Sequence, residues 1–211
     1  QLVAQNKLFA TMTEHQYYSV GSFERIKFTE EFFKPKRVVF LDRDGTINKR
    51  PARACYIEKP EEFVWLPGAI EAIHMLKKNG FLVIIITNQP GIARGNLTEE
   101  MLHCIHEKMR ADLLKERTEI DDIFYCPHNW DDGCFCRKPN PGMIFEAQKK
   151  YSLNLSECYL IGDDERDIAA GEAAGCICRM VDEKYTVLDV AKEIVSLEKK
   201  EKIHDYFKDT P

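Results

Sequence analysis

Five short apolar runs recur along this chain: RVVFLD from Arg37, FLVIIIT from Phe81, DIFYC from Asp122, CYLIGD from Cys158 and CICRMV from Cys176. The segments between them carry helical periodicity, and that alternation predicts βα repeats around a parallel sheet. Between the first two runs, LPGAIEAIHMLKKNG sets Ile70, Ile73 and Leu76 near one helical face, with Pro67 at its start and Gly80 as a stop. Thr98 is a suitable N-cap, followed by Glu99 and Glu100 in the favoured first turn, and later helices are expected to start near Pro141, Asp164 and Thr186. Sheets of this kind bind ligands beyond the carboxyl ends of their strands. Asp42, Thr87, Cys126 and Asp163 stand at those ends.

At 211 residues the chain is expected to hold one main domain, placed at residues 36–200. Residues 1–35 do not join the βα rhythm and are read as an N-terminal extension containing a turn and a short amphipathic helix, and residues 201–211 as a C-terminal tail. A hydrophobic fraction of 44% with 31% charged residues suits a globular protein with a sizeable core. A net charge of -5 argues against a nucleic-acid partner. No apolar run approaches a membrane span and no secretory leader is visible, so no membrane partner and a cytoplasmic location are expected. A chain opening on Gln1 is read as a monomer or as part of a larger fused enzyme.

Within VVFLDRDGTIN, Asp42 and Asp44 are two apart, so an extended backbone would turn both carboxylates to one site. Like charges that close demand a cation or a proton. A calcium loop is excluded, because Gly45 falls at its fourth position instead of the sixth and Arg53 stands where its glutamate belongs. A strand-end Asp-x-Asp, followed by a glycine that lets backbone N–H groups face an anion, suits phosphoryl transfer: one carboxylate attacks phosphorus and the other delivers a proton.

The segments DRDGT, TNQ, RKP and GDDERD resemble, in order and spacing, the four motifs of haloacid dehalogenase-like phosphatases over about Arg37 to Val181. The resemblance implies a Rossmannoid three-layer α/β/α fold with a central parallel sheet, a zinc-binding loop and no large cap domain. It implies that Asp42 forms an aspartyl-phosphate and Asp44 is the acid/base. Thr87 and Lys138 would hold the phosphoryl oxygens, and Asp163 would join Asp42 and Asp44 in binding Mg²⁺. The motif neighbours Arg43, Gly45, Thr46, Asn88 and Gln89 are expected to contact substrate. Asp164 and Asp167 are read only as negative charge favoured at a helix N-terminus. Residues 1–35 also resemble, faintly, the closing stretch of sugar nucleotidyltransferase domains.

Eight cysteines are present, and CPHNWDDGCFC places Cys126, His128, Cys134 and Cys136 as Cys-x-His followed by Cys-x-Cys. These are the donors of a closed tetrahedral zinc site, which would be structural and would pin the loop leading to Arg137 and Lys138. The remaining thiols, Cys55, Cys104, Cys158, Cys176 and Cys178, are read as small core residues. Two branches of the resembled family pair such a loop with an uncapped domain. TNQPGIARG and CRKPNPGM are similar to the heptose 1,7-bisphosphate 7-phosphatases, whereas the five-residue gap between His128 and Cys134 is similar to the histidinol-phosphate phosphatases. The site-flanking segments favour the heptose branch, which implies a substrate-selecting role for Arg137. A cationic loop with Lys49, Arg50 and Arg53 suits a second phosphate. The expected partner is therefore a small phosphorylated sugar. A zinc-ordered module that binds phosphosugars without turnover is the rival reading, and a polynucleotide phosphatase is disfavoured by the acidic charge.

Overall fold

The computed structural model of the chain describes residues 21–34, 36–52 and 55–208. The chain divides into two units, Gln1–Pro35 and Lys36–Pro211. Described residues of the first unit form helix α1, Phe23–Phe33. The second unit carries strands β1 (Val38–Leu41), β2 (Leu82–Asn88), β3 (Asp122–Cys126), β4 (Tyr159–Gly162) and β5 (Ile177–Met180). These alternate with helices α2 (Ala69–Lys78), α3 (Glu99–Lys115), α4 (Gly142–Tyr151), α5 (Glu165–Ala174) and α6 (Val187–Lys208).

All strand pairings are parallel, in the order β3-β2-β1-β4-β5. The two-residue period of β1 divides the core. Val39 and Leu41 face a cluster with Ala72, Ile73 and Leu76 of α2, Leu102, Ile105 and Met109 of α3, and Val190 and Ile194 of α6. Val38 and Phe40 face a second cluster with Met143, Ile144 and Ala147 of α4 and Ala170 of α5. The fold is thus a three-layer α/β/α sandwich. Burial of β1 on both faces is why VVFL reads as an unbroken apolar run instead of an alternating one.

Local signals set the helix ends. The Thr98 hydroxyl accepts from the Met101 N–H at 3.1 Å. Asp164 caps α5 in a reciprocal arrangement with Asp167. Helix α2 differs slightly from expectation: Gly68, with φ +79°, is its N-cap, so Pro67 lies outside the helix. Helix α6 continues past residue 200, where the sequence suggested a tail; its Lys- and Glu-rich composition favours helix. Residues 209–211 lie outside the described residues, as do residues 1–20 of the proposed extension.

Cys158 is buried as expected, whereas Cys176 and Cys178 are half-buried and Cys55 and Cys104 are exposed. Cys104 falls between the buried positions Leu102, Ile105 and Met109 of α3, off the helix's apolar stripe, and Cys55 lies in the loop after β1. Among the described residues, no helix is long and apolar enough to cross a membrane.

Leu76 is wholly buried between α2 and the sheet. Leu76→Ala should therefore lower unfolding free energy by about 2–5 kcal/mol, and Thr98→Ala by about 1 kcal/mol. Urea denaturation measures both, and an unchanged midpoint for Leu76→Ala would contradict this packing.

Candidate active site

At the carboxyl end of the sheet lies a pocket of about 370 Å³ whose lining includes Asp42, Asp44, Arg50, Thr87, Lys138 and Asp167. Asp42 follows β1 directly and its N–H donates to the Ile161 carbonyl at 2.9 Å, so the sheet itself fixes its position. Lys138 is 3% exposed and its ammonium lies 2.5 Å from Asp42 Oδ1 and 2.7 Å from Asp167 Oδ1. The same ammonium donates to the Ile86 carbonyl at 2.8 Å. Burial pushes Asp42 up to about 7, against the pull of Lys138. Burial alone would lower Lys138, but the neighbouring Asp42 and Asp167 carboxylates hold it above its usual range.

Asp42, Asp163 and Asp167 bring carboxylate oxygens within 4.8 Å of one another. Asp163 is also raised, chiefly by burial. Two of these carboxylates, Asp42 and Asp163, displaced upward in this way are short of positive charge, and hard oxygen donors at that spacing fit a magnesium ion. Sequence reasoning left out Asp167 and placed Asp44 in this set. The strand ends at Leu41, so the two-residue alternation does not carry over to Asp44.

The Asp44 carboxylate is instead enclosed by donors. Arg43 Nη2 lies 3.1 and 2.8 Å from its two oxygens, Asn48 Nδ2 2.9 Å and Gln89 Nε2 3.0 Å. Burial pushes this carboxyl up, but the Arg43 guanidinium and these hydrogen bonds outweigh it and hold it below the ordinary carboxylate range. Arg43 is buried behind Asp44, its Nη1 3.4 Å from Nε2 of His106 on α3, and does not line the pocket. Burial, helped by the Arg43 charge, lowers His106 to about 3, so its ring is neutral and can accept from the guanidinium. Arg43, expected to contact substrate, here contacts Asp44 and stands away from the pocket.

Other motif neighbours also hold the machinery in place. Gly45 N–H donates to the Asn48 carbonyl at 2.8 Å, so it is spent within the turn and does not face an anion. Gly45 has φ +108°, and a Cβ there would stand 2.0 Å from Asp163 Oδ2. Thr46 is buried and its hydroxyl donates to Asp163 Oδ1 at 3.3 Å. Gln89 is buried and its Nε2 bridges Asp44 to Thr87 Oγ1, the latter at 2.8 Å. Asn88 lines the pocket and clamps the Lys138 backbone through two 3.0 Å hydrogen bonds. Arg50 lines the pocket, with Nη2 2.8 Å from Asp163 and 3.6 Å from Asp164. Arg137 lines it too, its Nη1 donating to the His128 carbonyl at 3.3 Å. Arg53 lies outside the described residues.

The four soft donors converge next to this pocket. Cys126 Sγ lies 3.5 Å from Cys134 Sγ, 3.3 Å from Cys136 Sγ and 3.6 Å from His128 Nδ1, and His128 Nδ1 lies 3.2 Å from Cys136 Sγ. Zinc bonds of the usual length and tetrahedral angle would space such donors about 3.6–3.8 Å apart, so the set fits zinc after a small expansion.

The haloacid dehalogenase-like hydrolase family model matches residues 4–175 of the chain. A D-glycero-alpha-D-manno-heptose-1,7-bisphosphate 7-phosphatase of Photorhabdus laumondii is 44% identical over 147 residues, covering 66% of this chain and 78% of its own. A D-glycero-beta-D-manno-heptose-1,7-bisphosphate 7-phosphatase of Bordetella bronchiseptica is 39% identical over 140 residues, covering 66% and 77%. The crystal structure of a D,D-heptose 1,7-bisphosphate phosphatase from B. bronchiseptica, complexed with magnesium and phosphate, superposes with a TM-score of 0.71 at 33% identity over 76% of this chain and 98% of that one.

Gly45→Ala would force a methyl group into Asp163 and a strained backbone angle. Phosphatase activity should fall at least about a hundredfold, measured beside circular dichroism. Unchanged activity would contradict the observed approach of Gly45 to Asp163.

Proposed function

Since this chain belongs to the haloacid dehalogenase-like hydrolases, we propose that it is a magnesium-dependent phosphatase removing the C7 phosphate of a heptose 1,7-bisphosphate. The observation that carries this reading is the Asp42 carboxylate at a pocket floor, held by a buried lysine and flanked by Thr87. A carboxylate so placed can attack phosphorus while an ammonium and a hydroxyl meet the equatorial oxygens.

In the first step an Asp42 oxygen forms a bond to phosphorus, the bond to the C7 oxygen breaks, and Asp44 supplies the proton that the leaving alcohol takes. Asp44 must turn from Arg43 toward the pocket to do so. In the second step the ionised Asp44 accepts a proton from water as that water attacks phosphorus, releasing phosphate and regenerating the Asp42 carboxylate. Magnesium, held by Asp42 and Asp163 with Asp167 beside them, would supply the hard positive charge that offsets these anions and the transferring phosphoryl group. Asn88 and Gln89 would act as positioning residues, one on Lys138 and the other on Thr87 and Asp44. Arg50 and Arg137 would contact the sugar phosphate.

Zinc bound by Cys126, His128, Cys134 and Cys136 would be structural, because four protein ligands leave no open position. Its role is to fix the loop that carries Arg137 and Lys138.

The heptose reading is supported over histidinol phosphate by relatives that share it, despite the short zinc loop. Steady-state kinetics on both heptose bisphosphate anomers and on histidinol phosphate test it: kcat/KM for a heptose bisphosphate should exceed that for histidinol phosphate by about a hundredfold or more. A preference for histidinol phosphate would overturn the substrate. Asp42→Asn should remove hydrolysis by at least about a thousandfold while the fold and zinc content persist; binding without turnover in the parent protein would favour the non-catalytic module. Metal analysis of Cys134→Ser should find less than the one zinc per chain expected of the parent, together with lower activity through a misplaced Lys138. Full activity without zinc would refute the structural role.

A further inference from the structure

Arg166, the second residue of α5, lines the same pocket as Asp42 and Lys138, yet none of the roles above uses it. Its Nε donates to Asp164 Oδ1 and its Nη2 to Asp164 Oδ2, both at 2.8 Å, while its backbone N–H donates to Oδ1 at 3.0 Å. Two ordinary explanations fall short. A cation in the first turn of a helix is opposed by the helix dipole, so stability of α5 does not call for one there. The side chain is 52% exposed, and ion pairs at that exposure stabilise little.

The pairing instead orients the guanidinium. Two of its five N–H groups are spent on Asp164, and the other three make no hydrogen bond among the described residues, although the charges of Asp167 and Asp42 also act on it. Arg50, 2.8 Å from Asp163 and 3.6 Å from Asp164, stands beside it, so two guanidinium groups line the same wall of the pocket. A planar fork already held in one rotamer loses less entropy on binding a phosphate than a free side chain would.

We propose that Arg166 binds the phosphate that is not transferred, and that Asp164 is the positioning residue that holds its guanidinium plane toward the pocket. The inference rests on the bisphosphate reading of the site and names a specificity-determining side chain for it.

The test compares kcat/KM for heptose 1,7-bisphosphate with that for heptose 7-phosphate in the parent and in Arg166→Gln and Arg166→Lys. The parent should prefer the bisphosphate. The ratio should fall about ten- to a hundredfold in Arg166→Gln, mostly through KM, and by less in Arg166→Lys, which keeps the charge without the fork. Arg166→Gln should melt no lower than the parent, since it removes a cation from a helix N-terminus. An unchanged ratio in both variants, or equal loss on both substrates, would overturn the role of Arg166 and leave the phosphatase reading intact. A parent enzyme with no preference for the bisphosphate would overturn the bisphosphate reading together with the role of Arg166, while hydrolysis itself would still stand.

Discussion

A lysine ammonium taken out of water has to be met by opposite charge, and the site is arranged around that requirement. Lys138 lies between Asp42 and Asp167, with the Ile86 carbonyl as a third partner. Removing one partner of such a buried pair costs about 3–5 kcal/mol, because the remaining charge is stranded. Four segments must therefore converge: the end of β1, β2, the first turn of α5 and the loop after β3. The first three are built into the sheet and its helices. The loop is not, and it is held by the Asn88 clamp on the Lys138 backbone and by the Cys126, His128, Cys134 and Cys136 cluster.

The two carboxylates of the Asp-x-Asp pair are driven in opposite directions by their surroundings. Asp42 is desolvated and crowded by acidic neighbours, so it is raised; Asp44 is encircled by Arg43, Asn48 and Gln89, so it is lowered. These directions run opposite to the proposed roles, which need Asp42 ionised and Asp44 able to give a proton; a cation beside Asp42 would lower it, and turning Asp44 away from Arg43 would raise it. The neutral His106 behind Arg43 contributes by accepting from the guanidinium without adding charge. A magnesium ion would complete this balance on the Asp42 side, where the carboxylates outnumber their cations.

The strands were legible because buried parallel strands read as apolar runs, and each helix start was marked by a residue with a capping or turn function. The site was legible as motifs but less so as geometry. Asp44 was placed with the metal ligands on the resemblance, whereas the strand alternation that would turn it toward Asp42 ends at Leu41, where a turn begins. Asp167 was assigned only to the helix terminus, although the Asp-x-x-Asp spacing of GDDERD, which sets up the cap with Asp164, also returns its carboxylate to the strand end. Arg43, Gly45 and Thr46 lie beside Asp42 and Asp44 in sequence, yet Arg43 holds Asp44, Thr46 donates to Asp163 and Gly45 leaves room for the Asp163 carboxylate. His106 carried no motif signal, because its contact with Arg43 is made across the tertiary fold, and Arg166, although inside GDDERD, was given no role because spacing alone does not reveal its pairing with Asp164.

All of this chemistry requires that Asp42 itself carries the phosphoryl group. A single-turnover reaction in water enriched in oxygen-18, quenched in acid and read by mass spectrometry of the peptide containing Asp42, tests this, because only the covalent path puts a phosphoryl group on Asp42. Water attack on phosphorus sends the heavy oxygen to phosphate and leaves the Asp42 carboxylate unlabelled, while rapid acid quenching finds the phosphoryl mass on that peptide before turnover is complete. A quench that never shows the Asp42 adduct while phosphate is being released would contradict the account.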